Sequence, residues 1–363
     1  MRSWRNVNQT SGSIRKYRDR QKSDIMYKIA IEERLFHFKE PAGTSRGVYT
    51  ERRSWMVSVS DGENSGVGEC APLPDLSQDA LAPHIYNKVL RSFCDDVERT
   101  GEIPFEAMRN YPSMLFGLET ALQSVRNPRL SPHTSQQKVG IPINGLVWMG
   151  TYDEMLRRME QKLEQGFRCI KLKVGAIDFD SELELVRRIR QRFSRSDVEL
   201  RLDANGGFTP DEALYRLELL SQYAIHSIEQ PVKPRQWSLM AELCREAPLP
   251  IALDEELIGV NDAEQKRQML RIIKPAYIVL KPSLHGGMYG CREWISIARD
   301  EGIGSWITSA LESNIGLNAI AHFCLDVYGP NITMPQGLGT GQLFTDNIDM
   351  GLEIRDNKLW ICR

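Results

Sequence analysis

The sequence predicts an α/β protein: a closed (β/α) barrel preceded by a small α+β domain. Between residues 140 and 337, eight short apolar runs alternate with stretches of helical periodicity, the pattern of parallel strands joined by helical crossovers. No GxGxxG follows any of these runs, which weighs against an open dinucleotide-binding sheet. Upstream of about residue 138 the texture differs, with period-two runs followed by two helical patterns.

Taken in order, residues 1–25 are polar and carry Arg2, Arg5, Arg15, Lys16, Arg18, Arg20 and Lys22 without the apolar core of a signal peptide. Such a composition buries too little surface to fold, so a disordered extension is expected, with a basic arm for a partner as the alternative. Residues 26–138 form the expected α+β domain. Tyr27, Ile29 and Ile31 alternate as on a half-buried strand, Trp55–Val59 reads as a second strand and Gly66–Glu69 as a third. Gly and Pro in Phe38–Tyr49 mark a mobile loop between the first two. Helical patterns follow near Gln78–Arg99 and Pro112–Val125.

Residues 139–340 form the expected barrel. Its strands are Gly140–Leu146, Cys169–Val174, Val198–Asp203, His226–Gln230, Ile251–Asp254, Tyr277–Lys281, Gly304–Ser309 and Ile332–Gly337, with helices such as Tyr152–Gln165, Ser181–Arg192, Pro210–Tyr223 and Met288–Asp300 between them. Residues 341–363 are expected to return to the first domain through Leu352–Ile354 and Leu359–Ile361.

Bulk composition excludes several classes of function. Hydrophobic residues make up 41% and charged residues 26%, and 46 Lys and Arg balance 48 Asp and Glu, so no global field points to nucleic acid or an anionic membrane. No apolar run approaches the roughly 20 residues of a membrane helix. The seven cysteines are scattered without CxxC spacing, which argues against structural zinc or a disulfide framework and fits a reducing cytoplasm. A small-molecule substrate is the partner expected, and nothing bears on oligomeric state.

The strands end in ionisable residues where apolar ones belong. The second carries Lys171 and Lys173, the third ends in Asp203, the fourth in Glu229, the fifth in Asp254 and the sixth in Lys281. Successive steps from Lys173 are 30, 26, 25 and 27 residues, each one strand-plus-helix unit, so all five fall at the carboxyl-terminal rim where barrels place their chemistry. Lys171 and Lys173, two apart, point the same way. One Asp at a strand end is usually a cap or turn residue, and one Lys usually snorkels to water. Five in register are hard to explain so. Three clustered carboxylates repel unless a cation joins them, and oxygen-only ligands favour a hard ion such as Mg²⁺. Flanking lysines then suit proton abstraction next to a substrate carboxylate.

These motifs resemble the enolase superfamily over about residues 27–345. The finer stretches Gly68–Pro74, Pro142–Gly145, Lys171–Gly175, Ser309–Gly316 and Gly337–Phe344 are similar to its o-succinylbenzoate synthase family. The resemblance implies a modified (β/α)8 barrel, TIM-like, under an α+β capping domain. It implies a Mg²⁺ site, with Mn²⁺ as substitute, at Asp203, Glu229 and Asp254. Lys173 becomes the acid/base and Lys281 the opposing lysine. Thr308-Ser309, with no His, stands against the mandelate racemase branch and for the muconate-cycloisomerase-like one.

The implied reaction is a hydro-lyase step of menaquinone biosynthesis: dehydration of 2-succinyl-6-hydroxy-2,4-cyclohexadiene-1-carboxylate to 2-succinylbenzoate. Lys171 either lowers the Lys173 pKa by like-charge repulsion or pairs with a carboxylate. Lys171 and Asn205 are expected to contact substrate. Ser309, Glu312, Ser313 and Asn314 are expected to hold the succinyl carboxylate, because a helix starts near Asn314 and helix starts favour anions. The loop Pro41–Tyr49 and the turn Ala71–Leu76 are expected to cover the substrate. His285 reads as structural, with Gly286 and Gly287 marking close backbone approach. A dipeptide epimerase or N-acylamino acid racemase is the nearest rival. Epimerases of this type usually carry Asp-x-Asp at the end of the eighth strand, where this chain reads Gly337–Gln342 without an acid.

Overall fold

A computed structural model describes residues 26–44, 47–127, 139–175 and 177–362. The expected extension at 1–25 and the expected boundary at 138 lie outside the described residues.

A first layer consists of β1 (Lys28–Thr44), β2 (Gly47–Ser60) and β3 (Ser65–Cys70), then α1 (Pro83–Thr100), α2 (Phe105–Met108) and α3 (Pro112–Arg126). The strands form one antiparallel sheet in the order β1-β2-β3. Period-two alternation puts Tyr27, Ile29, Trp55, Val57 and Val59 against Tyr86, Leu90, Met114 and Leu118 of the helices. Proline in the first turn starts both α1 and α3, where no intrahelical N–H is lost. The segment expected as a mobile loop, Phe38–Tyr49, instead prolongs the β1–β2 hairpin on both sides of residues 45–46. Pro41 falls in the register break between His37 and Ala42, where no ladder donor is required.

The rest of the chain runs β4 (Val139–Pro142), β5 (Gly145–Val147), α4 (Tyr152–Glu164), β6 (Cys169–Lys173), α5 (Phe179–Arg192), β7 (Glu199–Asp203), α6 (Pro210–Ser221), β8 (Ser227–Glu229), α7 (Trp237–Glu246), β9 (Ile251–Leu253), α8 (Ala263–Ile273), β10 (Tyr277–Leu280), α9 (Gly287–Asp300), β11 (Gly304–Ile307), α10 (Asn314–Tyr328), β12 (Leu352–Arg355) and β13 (Lys358–Ile361). Local signals set many helix starts. Thr151 and Glu154 form a capping box on α4, Asp178 caps α5, and Asp262 accepts from the Glu264 and Gln265 amides at α8.

Strands β5 to β11 make a seven-stranded parallel sheet in chain order, with helices between them. The expected strand Gly140–Leu146 divides between two sheets. Its first half, β4, pairs with β13, and its second half, β5, joins β6. The expected eighth strand, Ile332–Gly337, is reduced to two parallel bridges, Ile143 to Gln336 and Thr308 to Gly337. Pro335 has no ladder N–H and Gly337 no side chain to pack, so no longer strand forms. The tail meets the chain at two places. Residues 343–345 bond to β1, with Lys39 N–H to the Leu343 carbonyl at 2.8 Å, whereas strands β12 and β13 add to β4 rather than to the first sheet.

Alternation on the parallel strands orients the chemistry. Ile170, Leu172, Leu200, Leu202 and Ile228 face the helices in the main core. Lys171, Lys173, Arg201 and Asp203 take the opposite face. At its far end that face is plugged by Ala252, Val279 and Trp306, with the buried Arg201 guanidinium 4.4 Å over the Trp306 ring.

Glu119 of α3 ties the first layer to the parallel sheet. Its half-buried carboxylate accepts the amide N–H groups of Met288 (2.7 Å) and Tyr289 (2.9 Å) at the start of α9. Gly287, with φ +69°, leaves room for it, since a Cβ there would meet the carboxylate. Burial pushes Glu119 up to about 8, against the pull of the two amides. In the unfolded chain the group titrates near 4.3. Its stabilising contribution is therefore complete below about pH 4.3 and is lost as pH rises through about 8. Urea melts across this window should show the unfolding free energy of the wild type falling relative to Glu119→Gln, with a slope of up to about 1.4 kcal/mol per pH unit. Parallel pH profiles of the two proteins would contradict the assignment.

Candidate active site

Three carboxylates converge at the carboxyl ends of the parallel strands. Asp203 and Glu229 are direct neighbours across β7 and β8, and Lys173 is the direct neighbour of Asp203 across β6 and β7. Glu229 pairs with Ala252 on β9, so Asp254 lies two residues beyond strict register. Its backbone turns there, at φ −125° and ψ −83°, into a 3-10 turn over Glu255–Leu257. That turn returns the carboxylate to the group: Asp203, Glu229 and Asp254 each offer an oxygen within 4.8 Å of the others, and all three residues are buried.

The lysines meet these acids directly. Lys171 Nζ contacts Asp203 at 2.8 Å and donates to Glu229 Oε2. Lys173 Nζ donates to the same Asp203 oxygen at 2.7 Å and to Asn205 Oδ1 at 2.6 Å. Lys281 Nζ donates to Asp254 Oδ2. Burial raises the Asp203 pKa, but Lys171, Lys173 and Lys281 outweigh it and hold the group below the usual carboxylate range. Asp254 is likewise lowered by Lys281 and Lys171 against burial. Glu229 goes the other way, up to about 7, because burial and the charges of Asp203 and Asp254 outweigh Lys171. Burial lowers the Lys171 pKa, but Asp203, Glu229 and Asp254 more than reverse it, so Lys171 is a cationic partner of the carboxylates. Lys281 is also raised, by Asp254 and Glu255 against burial.

Glu229 Oε1 and Asp254 Oδ1 are buried and find no hydrogen-bond partner among the described residues. Buried anionic oxygens left in this way are costly, and a hard divalent cation would satisfy them. The donor set therefore fits a metal held by oxygen alone.

Lys171, Lys173, Asn205 and Lys281 line one cavity above the carboxylates, with Leu73, Leu76, Trp148 and Leu311 as apolar walls and Ser309 and Thr340 at its rim. Asn205, in left-handed backbone at φ +44°, links Lys173 Nζ to Glu255 by donating at 2.9 Å. Glu255 also lines the cavity. Sequence reasoning passed over it although it directly follows Asp254 in Ala-Leu-Asp-Glu, a doubled acid that was the available signal. His285 Nδ1 accepts the Lys281 backbone N–H at 2.8 Å, and burial holds its pKa at about 3. A neutral imidazole thus braces the Lys281 backbone.

Three expected substrate contacts point elsewhere. The start of α10 already holds an anion: Glu69 of β3 accepts from Ser313 N (3.0 Å), Ser313 Oγ (2.6 Å) and Gly316 N (3.0 Å). Glu312 turns inward to accept from Ser283 Oγ, Ser309 Oγ and Ala310 N. Asn314 donates to the Ile348 carbonyl and to Asn347. Only Ser309 of that stretch's four residues lines the cavity. The turn Ala71–Leu76 does contribute, through Leu73 and Leu76, whereas Val48 and Tyr49 of the hairpin line a separate groove with Pro72, Pro74 and Pro83.

Comparison with known proteins agrees with this layout. Residues 154–360 match the family described as enolase C-terminal domain-like, and residues 40–125 match the MenC N-terminal domain. An o-succinylbenzoate synthase of Desulfotalea psychrophila is 44% identical, over 87% of this chain and 94% of that protein. The crystal structure of MenC from D. psychrophila superposes with a TM-score of 0.75 at 38% identity, covering 92% of this chain and 99% of that one. The L-Ala-D/L-Glu epimerase of Bacillus subtilis, 21% identical, shares the fold with a TM-score of 0.74, covering 92% of this chain and 95% of that one.

Proposed function

We infer the reaction from lineage: the chain belongs to the o-succinylbenzoate synthase family of the enolase superfamily. It is a metal-dependent lyase that dehydrates 2-succinyl-6-hydroxy-2,4-cyclohexadiene-1-carboxylate to 2-succinylbenzoate in menaquinone biosynthesis. The observation that carries the site assignment is the pair of lysines at the ends of β6 and β10, facing one cavity over a buried carboxylate triad.

In this reading the parallel sheet closes into a modified (β/α)8 barrel through residues 336–337, whose backbone bonds to Pro142 and Asn144 on one side and to Ile307 and Ser309 on the other. Residues 26–127 cap it, 139–340 form it, and the tail touches the cap at residues 343–345 before β12 and β13 pair with β4. Asp203, Glu229 and Asp254 hold Mg²⁺, or Mn²⁺ in its place. When bound, the ion offsets the carboxylate charges and stabilises negative charge on the substrate's ring carboxylate. The free thiols of all seven cysteines suit a reducing cytoplasm.

Lys173 Nζ, acting as the base, takes the proton from the ring carbon beside the carboxylate. The C–H electron pair moves into the ring and carboxylate, then expels the hydroxyl at the neighbouring carbon. Lys173, now an ammonium, returns the same proton to that hydroxyl, which leaves as water. Asp203 and Asn205 fix the Nζ position by accepting from it, while Lys281, braced by His285, presents positive charge to the developing anion. Leu73, Leu76, Trp148 and Leu311 pack on the ring and exclude water. With the α10 start occupied by Glu69, the succinyl carboxylate turns to Thr340, whose buried hydroxyl has no partner among the described residues.

Purified protein with a divalent metal should consume the cyclohexadiene and release 2-succinylbenzoate, followed by the ultraviolet change on aromatisation. Faster α-proton exchange in N-acylamino acids or dipeptides than dehydration would favour the epimerase reading instead. Against that reading, residues 337–342 supply no carboxylate to hold an ammonium.

A further inference from the structure

The two walls of the cavity come from different parts of the chain, and one buried side chain joins them. Arg52 of β2 is 2% exposed. Its guanidinium donates to the carbonyls of Ala71 and Pro72 (2.5 Å) in the turn after β3, which carries Leu73 and Leu76. It also donates to the carbonyls of Leu311 (3.3 Å) and Ala310 (3.4 Å) in the loop after β11. Leu311 is in left-handed backbone at φ +66°, a conformation that a leucine keeps only when its surroundings impose it. The buried cation is balanced by the nearby Glu312 and Glu69 carboxylates, and these fasten the Ser309–Ser313 loop from its other side.

The structure assigns Arg52 as a positioning residue that sets the width of the substrate cavity by clamping the Ala71–Leu76 turn to the Ala310–Leu311 loop. It touches no reacting atom. It acts through the apolar walls on which the substrate ring packs, and so rests on the dehydratase reading for its substrate. The planar five-donor fork explains the residue type: one guanidinium reaches carbonyls in two segments, which a single lysine ammonium cannot do in the same geometry.

Two measurements on Arg52→Lys in the full chain test this. Without substrate, hydrogen exchange of the Leu73–Ser77 and Ser309–Leu311 amides should quicken together by about tenfold, while β6–β8 keep wild-type protection. With the cyclohexadiene substrate, KM should rise about tenfold while kcat stays within about threefold, because wall packing is lost and the lysines are untouched. Exchange that is unchanged in both segments, or quickened equally throughout the sheet, overturns the proposal, as does an unchanged KM. If Arg52→Lys does not fold, Arg52→Gln, which keeps one amide donor and removes the buried charge, is read in the same two ways. A wild type that fails to dehydrate the substrate would refute the functional reading, and the exchange experiment would still decide the clamp.

Discussion

Lys173→Ala should abolish dehydration, whereas Lys281→Arg should retain a measurable fraction of it. The difference follows from what each Nζ touches. Lys173 Nζ is held between Asp203 and Asn205 at the cavity surface, and the proposed course asks it to remove a proton and give it back. One group serving as base and then acid accounts for at least about 10⁴-fold in rate, and alanine supplies neither role. Lys281 is held by Asp254 and contributes fixed charge. Arginine keeps that charge and cannot act as a base, so the loss is limited to misplaced electrostatics, about 10²-fold. Steady-state rates of Lys173→Ala, Lys173→Arg and Lys281→Arg on the cyclohexadiene decide the matter. Equal inactivation of both arginine variants, together with rapid α-proton exchange in N-acylamino acids by the wild type, would mean two bases on two faces and an epimerase.

The strands of the parallel sheet were legible because they repeat the same local pattern. In Ile-Lys-Leu-Lys-Val the leucine and isoleucine fix the helix-facing side, so the lysines had only the inner face left. The spacing that aligned Asp203 with Glu229 reflects a real backbone register. Asp254 was found for a partly wrong reason: it lies two residues past register, and a local backbone turn, invisible to spacing, brings it in. What the sequence hid were contacts between distant segments. Nothing near Asn314 reveals that Glu69, more than two hundred residues earlier, already occupies the helix start. A helix amino terminus attracts any anion, and the chain's own carboxylate was the one present. Arg52 was hidden likewise, since an arginine beside Arg53 in a strand reads as surface charge until its four carbonyl partners are seen. Phe38–Tyr49 was misjudged because Pro and Gly were read as a loop, whereas a register break absorbs Pro41 inside a hairpin.

Asp203→Asn, Glu229→Gln and Asp254→Asn should each lose metal binding and at least about a hundredfold in turnover while remaining folded. Two opposing terms act in each variant. Losing one buried carboxylate relieves repulsion among three acids confined within 4.8 Å, which stabilises the protein without metal. It also strips a lysine of a partner, which destabilises it. For Glu229 the second term is small, because Lys171 keeps Asp203 as a partner; for Asp203 it is larger, because Lys173 has its ion pair with that residue. For Asp254 it is likewise larger, since Lys281 has its hydrogen-bonded ion pair with that residue. The order of stability without metal should therefore place Glu229→Gln highest. The effect of metal is separate. A ligand at about a hundred times its Kd stabilises the native state by about 2.7 kcal/mol, so adding Mg²⁺ should raise the wild-type melting temperature, and this increment should vanish in all three variants. Calorimetric titration with the metal alone gives the same answer without any assay of turnover. A wild type that runs at full rate after EDTA treatment, or variants that keep the metal-induced rise in melting temperature, would remove Asp203, Glu229 and Asp254 from the role assigned to them.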